Sequence, residues 1–324
     1  MQMQDIFKEY GDDLKRAEEL MDVHLRSDVD MIPEVINHLI GSGGKRFRPL
    51  LLLVASDLCR YRGEKRYSLS AVIEFIHTAT LLHDDVVDSA ETRRGRTSAN
   101  NIWGNAASVL VGDFLYSKAF KLMADADHLA IIKLLSATTN TMAEGEVFQL
   151  VKCGDVRITE KDYLAIIEKK TAVLISAACA IGGLLGEASQ EQCEALTRFG
   201  MRLGLAFQIT DDTLDYMAEE EQFGKAIGKD LQEGKITLPL IQTLKRCSTA
   251  EKRMIKEVVE QKNIESDAIG GVIALIERYK GVNYALDKAT FFIDEGKRFL
   301  DVFPDGDAKA AFFTIADYII ERQL

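Results

Sequence analysis

Apolar positions along this chain recur at three- and four-residue steps, as in Ile73, Ile76, Ala79 and Leu82, the period of helices that bury one face. Alternating strand patterns are scarce, and no hairpin signal stands out. The four prolines are Pro33, Pro49, Pro239 and Pro304. Because proline costs a helix interior about 3 kcal/mol, the long proline-free interval from Pro49 to Pro239, rich in Ala, Leu, Glu and Lys, predicts consecutive helices. They are expected at about 3–26, 31–40, 46–60, 68–88, 103–124, 128–150, 159–184, 189–217, 237–246, 249–261, 266–279, 281–300 and 305–323. The segments between them, 62–67, 89–101 and 152–158, are short and polar, and a longer piece rich in glycine and charge covers 218–236. No linker separates two domains and no fixed-period repeat is present. The expectation is one all-α domain over 1–324.

Composition narrows the picture. The chain has 324 residues, 47% hydrophobic and 28% charged, which suits a folded, soluble protein rather than a disordered one. Its formal net charge of -11 repels polyanions and argues against a nucleic-acid partner. Any anionic substrate must therefore be gripped by local cations. The five cysteines, Cys59, Cys153, Cys179, Cys193 and Cys247, form no Cys-x-x-Cys pair and read as reduced thiols filling a cytoplasmic protein's core. The N-terminal residues lack the basic and apolar segments of an export signal. The uncharged stretch over 171–186 is shorter than the roughly 20 apolar residues a membrane span needs, so no transmembrane segment is expected.

Two acidic clusters carry the chemistry. The first is His83-Asp84-Asp85-Val86-Val87-Asp88, at the end of an apolar helix; the second, Asp211-Asp212-Thr213-Leu214-Asp215, repeats its spacing after another apolar run. At 100° per residue, Asp84 and Asp88 share one helical face a turn apart. Three acids in five residues repel one another unless a cation lies between them. Two such clusters facing each other would bind hard cations and leave positions open for phosphate oxygens, the usual arrangement of magnesium. A solvated acidic helix end is the plainer alternative for either cluster alone. An EF-hand lacks support because its glycine and spaced ligands are missing, and a di-iron bundle because no Glu-x-x-His accompanies the acids.

Basic residues gather in three places: Gly43-Gly44-Lys45-Arg46-Phe47-Arg48-Pro49, then Thr92-Arg93-Arg94-Gly95-Arg96, then Lys169-Lys170-Thr171 with the loop cations Lys225, Lys229 and Lys235. Glycines let backbone approach an anion, and a following helix N-terminus adds its dipole. Any one of these groups alone would read as ordinary surface charge. His77, two turns before Asp84, is either a donor to a second diphosphate or a satisfied core histidine. The other histidines, His83 among them, receive no role.

These motifs resemble the trans-prenyl diphosphate synthases, especially their long-chain, octaprenyl-type branch. The likeness covers about Gly41 to Pro239 and includes, in the family's order, Gly-Gly-Lys-Arg-Phe-Arg-Pro, Leu-Leu-His-Asp-Asp-Val-Val-Asp, Arg-Arg-Gly, Gly-Asp-Phe-Leu at 112–115, Lys-Thr, Phe-Gln-Ile-Thr-Asp-Asp-Thr-Leu-Asp and Gly-Lys-Ile-Thr-Leu-Pro. Thr213, where long-chain relatives often carry Leu, is a mild departure. The resemblance implies a single large helical bundle around a deep central cavity, a homodimer, and magnesium as cofactor, three ions per active site with substrate bound. It implies that Asp84 and Asp88 ligate magnesium with Asp85 in support, and that Asp211 ligates a further ion, with Asp212 and Asp215 acting directly or through water. Arg93, Lys170, Lys225 and Lys235 would hold the allylic diphosphate; Lys45, Arg48, His77 and Arg94 would hold isopentenyl diphosphate. Thr171 and Gln208 would border the reacting carbons.

The implied reaction is ionisation of an allylic diphosphate such as farnesyl diphosphate, attack by the isopentenyl double bond, and proton loss, supplying a quinone side-chain precursor. It needs no enzyme nucleophile, and none is evident. Ala79 and Thr80 are small where short-chain relatives place an aromatic, which favours a long product, while Phe120 and Met123 are candidates for the tunnel floor. Rival readings are a shorter-chain (geranylgeranyl) synthase, a class I terpene cyclase, which needs no second diphosphate site, and a non-catalytic partner subunit. A cytoplasmic protein is expected, meeting a membrane surface only through its product.

Overall fold

The computed structural model describes residues 2–40, 46–217, 228–261 and 266–321. Lys45 and Lys225 lie outside them. Apart from one two-stranded ribbon, every regular element among the described residues is helical, as the hydrophobic period predicts. The chain divides into two compact units, one formed by Met1–Thr139, Leu174–Gly200 and Phe299–Ile315, the other by Asn140–Val173, Met201–Arg298 and Ala316–Leu324.

In the first unit, α1 (Met3–Glu9) and α2 (Gly11–His24) replace the single helix expected over 3–26. The break falls at Tyr10, whose backbone leaves the helical region at φ -94, ψ 9 while its ring is buried; burying the ring outweighs the lost helical continuity. Next come α3 (Met31–Ile40), α4 (Phe47–Leu58) and α5 (Lys65–Val87). Leu50 to Ala55 of α4 are all buried, so this helix is a core element rather than an amphipathic one. Helix α5 closes at Asp88, whose N–H donates to the Asp84 carbonyl at 2.8 Å, and Ser89 at φ 49 turns the chain away.

The segment after α5 forms a hairpin that the sequence pattern does not announce. Strands β1 (Thr92–Arg93) and β2 (Arg96–Thr97) pair antiparallel, Thr92 opposite Thr97 and Arg93 opposite Arg96. The two turn residues, Arg94 at φ 51 and Gly95 at φ 76, have the left-handed geometry of a type I′ turn, whose usual signature is Asn-Gly or Asp-Gly. His38 of α3 shares a hydrogen bond with the Thr97 carbonyl at 2.8 Å. The helix expected over 103–124 starts earlier, as α6 (Ala99–Trp103), and resumes as α7 (Asn105–Asp125) after Gly104 at φ 85. Helix α7 runs beside α5; a Cβ at Gly112 would lie 2.6 Å from Cδ2 of His83 and closer still to Nε2.

The second unit contains the end of α8 (Leu129–Lys152), α9 (Glu160–Ile167) and the end of α11 (Gln190–Leu214). A capping box starts α9: the Asp162 N–H donates to Thr159 Oγ1 at 3.1 Å and the Thr159 N–H to Asp162 Oδ2 at 3.0 Å. The helix expected over 159–184 is interrupted by a π-helical turn, Glu168–Ala172, before α10 (Val173–Leu185). Glycines from α8 and α11 flank that wider turn. A Cβ at Gly145 would lie 2.8 Å from Lys169 Cβ, and one at Gly204 would lie 2.5 Å from Ala172 Cα. After α11 follow α12 (Lys229–Gln232), α13 (Leu238–Arg246), α14 (Thr249–Val259), α15 (Ser266–Arg278) and α16 (Gly281–Phe299), and α17 (Asp307–Glu321) ends the described chain. No helix among the described residues is long and apolar enough to cross a membrane.

Candidate active site

Helix α5 and the hairpin behind it organise the first unit's share of the predicted residues. Asp84 and Asp88 are half-buried at the C-terminal end of α5, and Asp85 between them is fully buried. Arg93, predicted to bind diphosphate, has its Nε–H on Asp85 Oδ1 at 2.6 Å. A charge buried without a partner would be costly, and this ion pair lets Asp85 anchor the hairpin to the helix. His77, Arg48 and Arg94 do come together. The His77 ring is held well below its ordinary pKa by burial first, then by Arg48, Arg94, Arg93 and Arg46. Burial also lowers the pKa of Arg94, against Glu74 and with Arg93 and Arg46. Arg46, which the motif alone did not single out, donates to Glu18 at 2.9 Å and to Glu74 at 3.0 Å. Four arginine charges thus act on one histidine, and two of the four, Arg46 and Arg93, are paired with Glu18, Glu74 and Asp85.

Ala79 is buried, and Thr80 turns its hydroxyl back onto the His77 carbonyl at 2.7 Å. On α7, Met123 is buried while Phe120 is 46% exposed and stacks on Tyr116. His83 bonds the Val109 carbonyl at 3.2 Å and stacks on Tyr116 at 5.9 Å.

In the second unit, a cavity of about 110 Å³ is lined by Lys170, Thr171, Gln208, Asp212, Asp230 and Lys235, with Tyr163, Ile166, Ile167 and Ile236 among its neighbours. The π-turn projects Lys170 and Thr171 to this cavity from adjacent positions. Lys170 pairs with Glu146 at 2.8 Å and Lys235 with Glu233 at 2.6 Å. A hydrogen-bond chain crosses the lining: Thr171 Oγ1 donates to Gln208 Oε1 at 2.8 Å, Gln208 Nε2 to Asp212 Oδ1 at 2.7 Å, and the Tyr163 hydroxyl to Asp212 Oδ2 at 2.6 Å. Burial pushes the Asp212 pKa up to about 7, helped by Asp211 and opposed by the Tyr163 and Gln208 hydrogen bonds and by Lys235. Burial followed by the charges of Asp212 and Asp215 raises Asp230 well above the carboxylate range.

Asp211 is half-buried in the last turn of α11. Asp215, just beyond that helix, accepts backbone N–H groups from Lys229 at 3.2 Å and Asp230 at 3.0 Å. It therefore ties the returning chain to the end of α11.

A model of the polyprenyl synthetase family matches residues 29–276. The chain belongs to the polyprenyl synthetase family. It is 37% identical to the octaprenyl diphosphate synthase of Haemophilus influenzae over 99% of this chain and 98% of that one. Among solved structures, it is similar to a decaprenyl diphosphate synthase from Rhodobacter capsulatus, with a TM-score of 0.94, 38% identity and 98% of both chains covered. It is equally similar to a polyprenyl synthase from Caulobacter crescentus complexed with calcium and isoprenyl diphosphate, with a TM-score of 0.94, 38% identity, and 98% of this chain and 97% of that one covered.

In this polyprenyl synthetase, the residues that touch or neighbour the predicted site residues but that the sequence did not single out are Arg46, Tyr163 and Asp230. Arg46 stands inside a recognised motif and was legible as a cation. Tyr163 and Asp230 lie in ordinary helical contexts, α9 and α12, and only burial beside Asp212 marks them.

Proposed function

We propose that this chain condenses isopentenyl diphosphate with an allylic diphosphate such as farnesyl diphosphate and repeats the step to a long, octaprenyl-class product. The carrying observation is that Arg48 and Arg94 both act on His77 and, after burial, hold its pKa down, because this pair of cations supports an anionic site beyond what a cyclase needs. Asp84 and Asp88 at the end of α5, and Asp211 in the last turn of α11, are hard oxygen donors at helix ends where the macrodipole already concentrates negative charge. That donor set suits magnesium completed by water and phosphate oxygens. When bound there, magnesium would offset the charge that ionisation leaves on the diphosphate.

The chain's own residues do the rest. Lys170 and Lys235, with Lys225 and Arg93 by family likeness, stabilise the leaving diphosphate as the allylic carbon–oxygen bond breaks, and they act more strongly on that transition state than on the ground state. Arg48, Arg94, His77 and, by likeness, Lys45 hold isopentenyl diphosphate while its double bond forms the new carbon–carbon bond. The proton then leaves to the departed diphosphate. Thr171 and Gln208 present oxygens toward the cation, and the surrounding Ile166, Ile167 and Ile236 exclude water. By family likeness the small Ala79 admits a growing chain, and the buried Met123, rather than the exposed Phe120, supports a floor. The exposed Val109, Leu110 and Phe120 of α7 support assembly as a homodimer.

Purified chain, magnesium, farnesyl diphosphate and labelled isopentenyl diphosphate test the reading, with chromatography of the dephosphorylated products. Labelled long-chain alcohols are expected. Unlabelled cyclic hydrocarbons, or no turnover by the chain alone, would replace it with a cyclase or a partner subunit.

A further inference from the structure

The hydrogen-bond chain in the second unit has a direction. The buried Tyr163 hydroxyl and the Gln208 side-chain N–H both donate to the two oxygens of Asp212. Both Asp212 oxygens accept in these two bonds, so the Gln208 amide nitrogen faces Asp212 and the amide oxygen faces Thr171. The Thr171 hydroxyl must then donate its single proton to Gln208 Oε1, as it does at 2.8 Å. A hydroxyl has one proton and two lone pairs, so with the proton committed its lone pairs are what remains for the cavity that Thr171 lines. Two further observations fit. The wider π-turn carries Thr171 out of α-helical register, a distortion that recurs at functional sites, and both Asp212 oxygens already accept a hydrogen bond, so this acid of the Asp211–Asp212 doublet serves the chain of donors.

We propose that Tyr163 is a positioning residue: by holding Asp212 it locks the orientation of the Gln208 amide and so aims the Thr171 lone pairs at the carbon that becomes cationic. The inference rests on the condensing activity proposed above. Tyr163 acts through Asp212, which its hydroxyl holds at 2.6 Å. Its contribution is the polarity of the relay, which matters because a lone pair stabilises a cation and a hydroxyl proton repels it.

The test combines Tyr163→Phe with Thr171→Val in the full chain. Tyr163→Phe alone is expected to lower kcat about ten-fold, the effect of loosening one hydrogen bond near the transition state, with KM for both diphosphates changed less than about two-fold. In the Thr171→Val background the same substitution is expected to change kcat by less than about two-fold, because the group it orients is gone. A merely structural tyrosine would cost the same in both backgrounds. Additive losses, or an unchanged kcat in Tyr163→Phe, overturn the relay. If Tyr163→Phe fails to fold, Asp212→Asn takes its place, since an amide can donate to Gln208 and scramble the orientation; it should show the same dependence on Thr171, and additivity again overturns the proposal. Coupled melting temperatures of the Tyr163→Phe and Thr171→Val variants give a readout independent of turnover. The wild-type control separates the two failures: no incorporation refutes the condensing activity, whereas incorporation indifferent to these substitutions refutes the relay alone.

Discussion

Adding one methyl group at Gly112 should be destabilising with His83 present and stabilising without it. A Cβ there would lie 2.6 Å from His83 Cδ2, so the ring must retreat by roughly 1 Å to reach ordinary contact distance. That movement breaks its hydrogen bond to the Val109 carbonyl and its stacking on Tyr116. Losing the first costs about 1 kcal/mol and the second about 1 kcal/mol. Alanine inside a helix returns about 0.5–1 kcal/mol through backbone entropy, leaving Gly112→Ala destabilised by about 1–1.5 kcal/mol. For a chain of this size the expected fall in melting temperature is about 1.5–2 °C. In a His83→Ala background the clash is absent, and Gly112→Ala should raise the melting temperature by about 1–2 °C through the helix term alone. Calorimetry on the four proteins measures both differences. A Gly112→Ala variant that melts at or above wild type with His83 intact, or the same loss in both backgrounds, would refute the account of why glycine stands beside this histidine.

The remaining predictions concern charge and the proposed chemistry. His77 has a folded pKa below its unfolded value, so the unfolded chain takes up the proton first, and stability present above about pH 6.5 is lost as pH falls; His77→Gln should flatten the drop in melting temperature between pH 7 and pH 5, and an equally steep drop in the variant would contradict this. Asp84→Asn and Asp211→Asn should each lower kcat by about 100-fold or more and raise the magnesium concentration needed for half activity, as metal titrations would measure; unchanged titrations would exclude these carboxylates as ligands. Ala79→Tyr should shorten the product and Met123→Ala lengthen it, read by chromatography of the dephosphorylated alcohols, and an unchanged distribution in both would remove these residues from the tunnel.

The helical character was legible because it is written in local terms: proline-free sequence and core-facing repeats. The two aspartate clusters were legible because their spacing repeats. Features set by distant contacts were not. The break at Tyr10 depends on where its ring finds a core. The hairpin at 92–97 has Arg94 in a position where turn signals look for Asn or Asp, and Asp85 fixes Arg93 behind it. The π-turn at 168–172 has close glycine neighbours at 145 and 204, neither adjacent to it in sequence.

The order of motifs, the acids and the basic residues that suit diphosphate chemistry are properties of the sequence alone, since residue type and helical spacing determine which groups can share a face. Tertiary structure decided which charges are already engaged: Arg93 with Asp85, Asp215 with the backbone of α12, and Asp212 with Tyr163 and Gln208. Those assignments depend on burial and on hydrogen-bond partners brought together from distant parts of the chain, and a buried polar group must satisfy itself with whatever the fold places beside it.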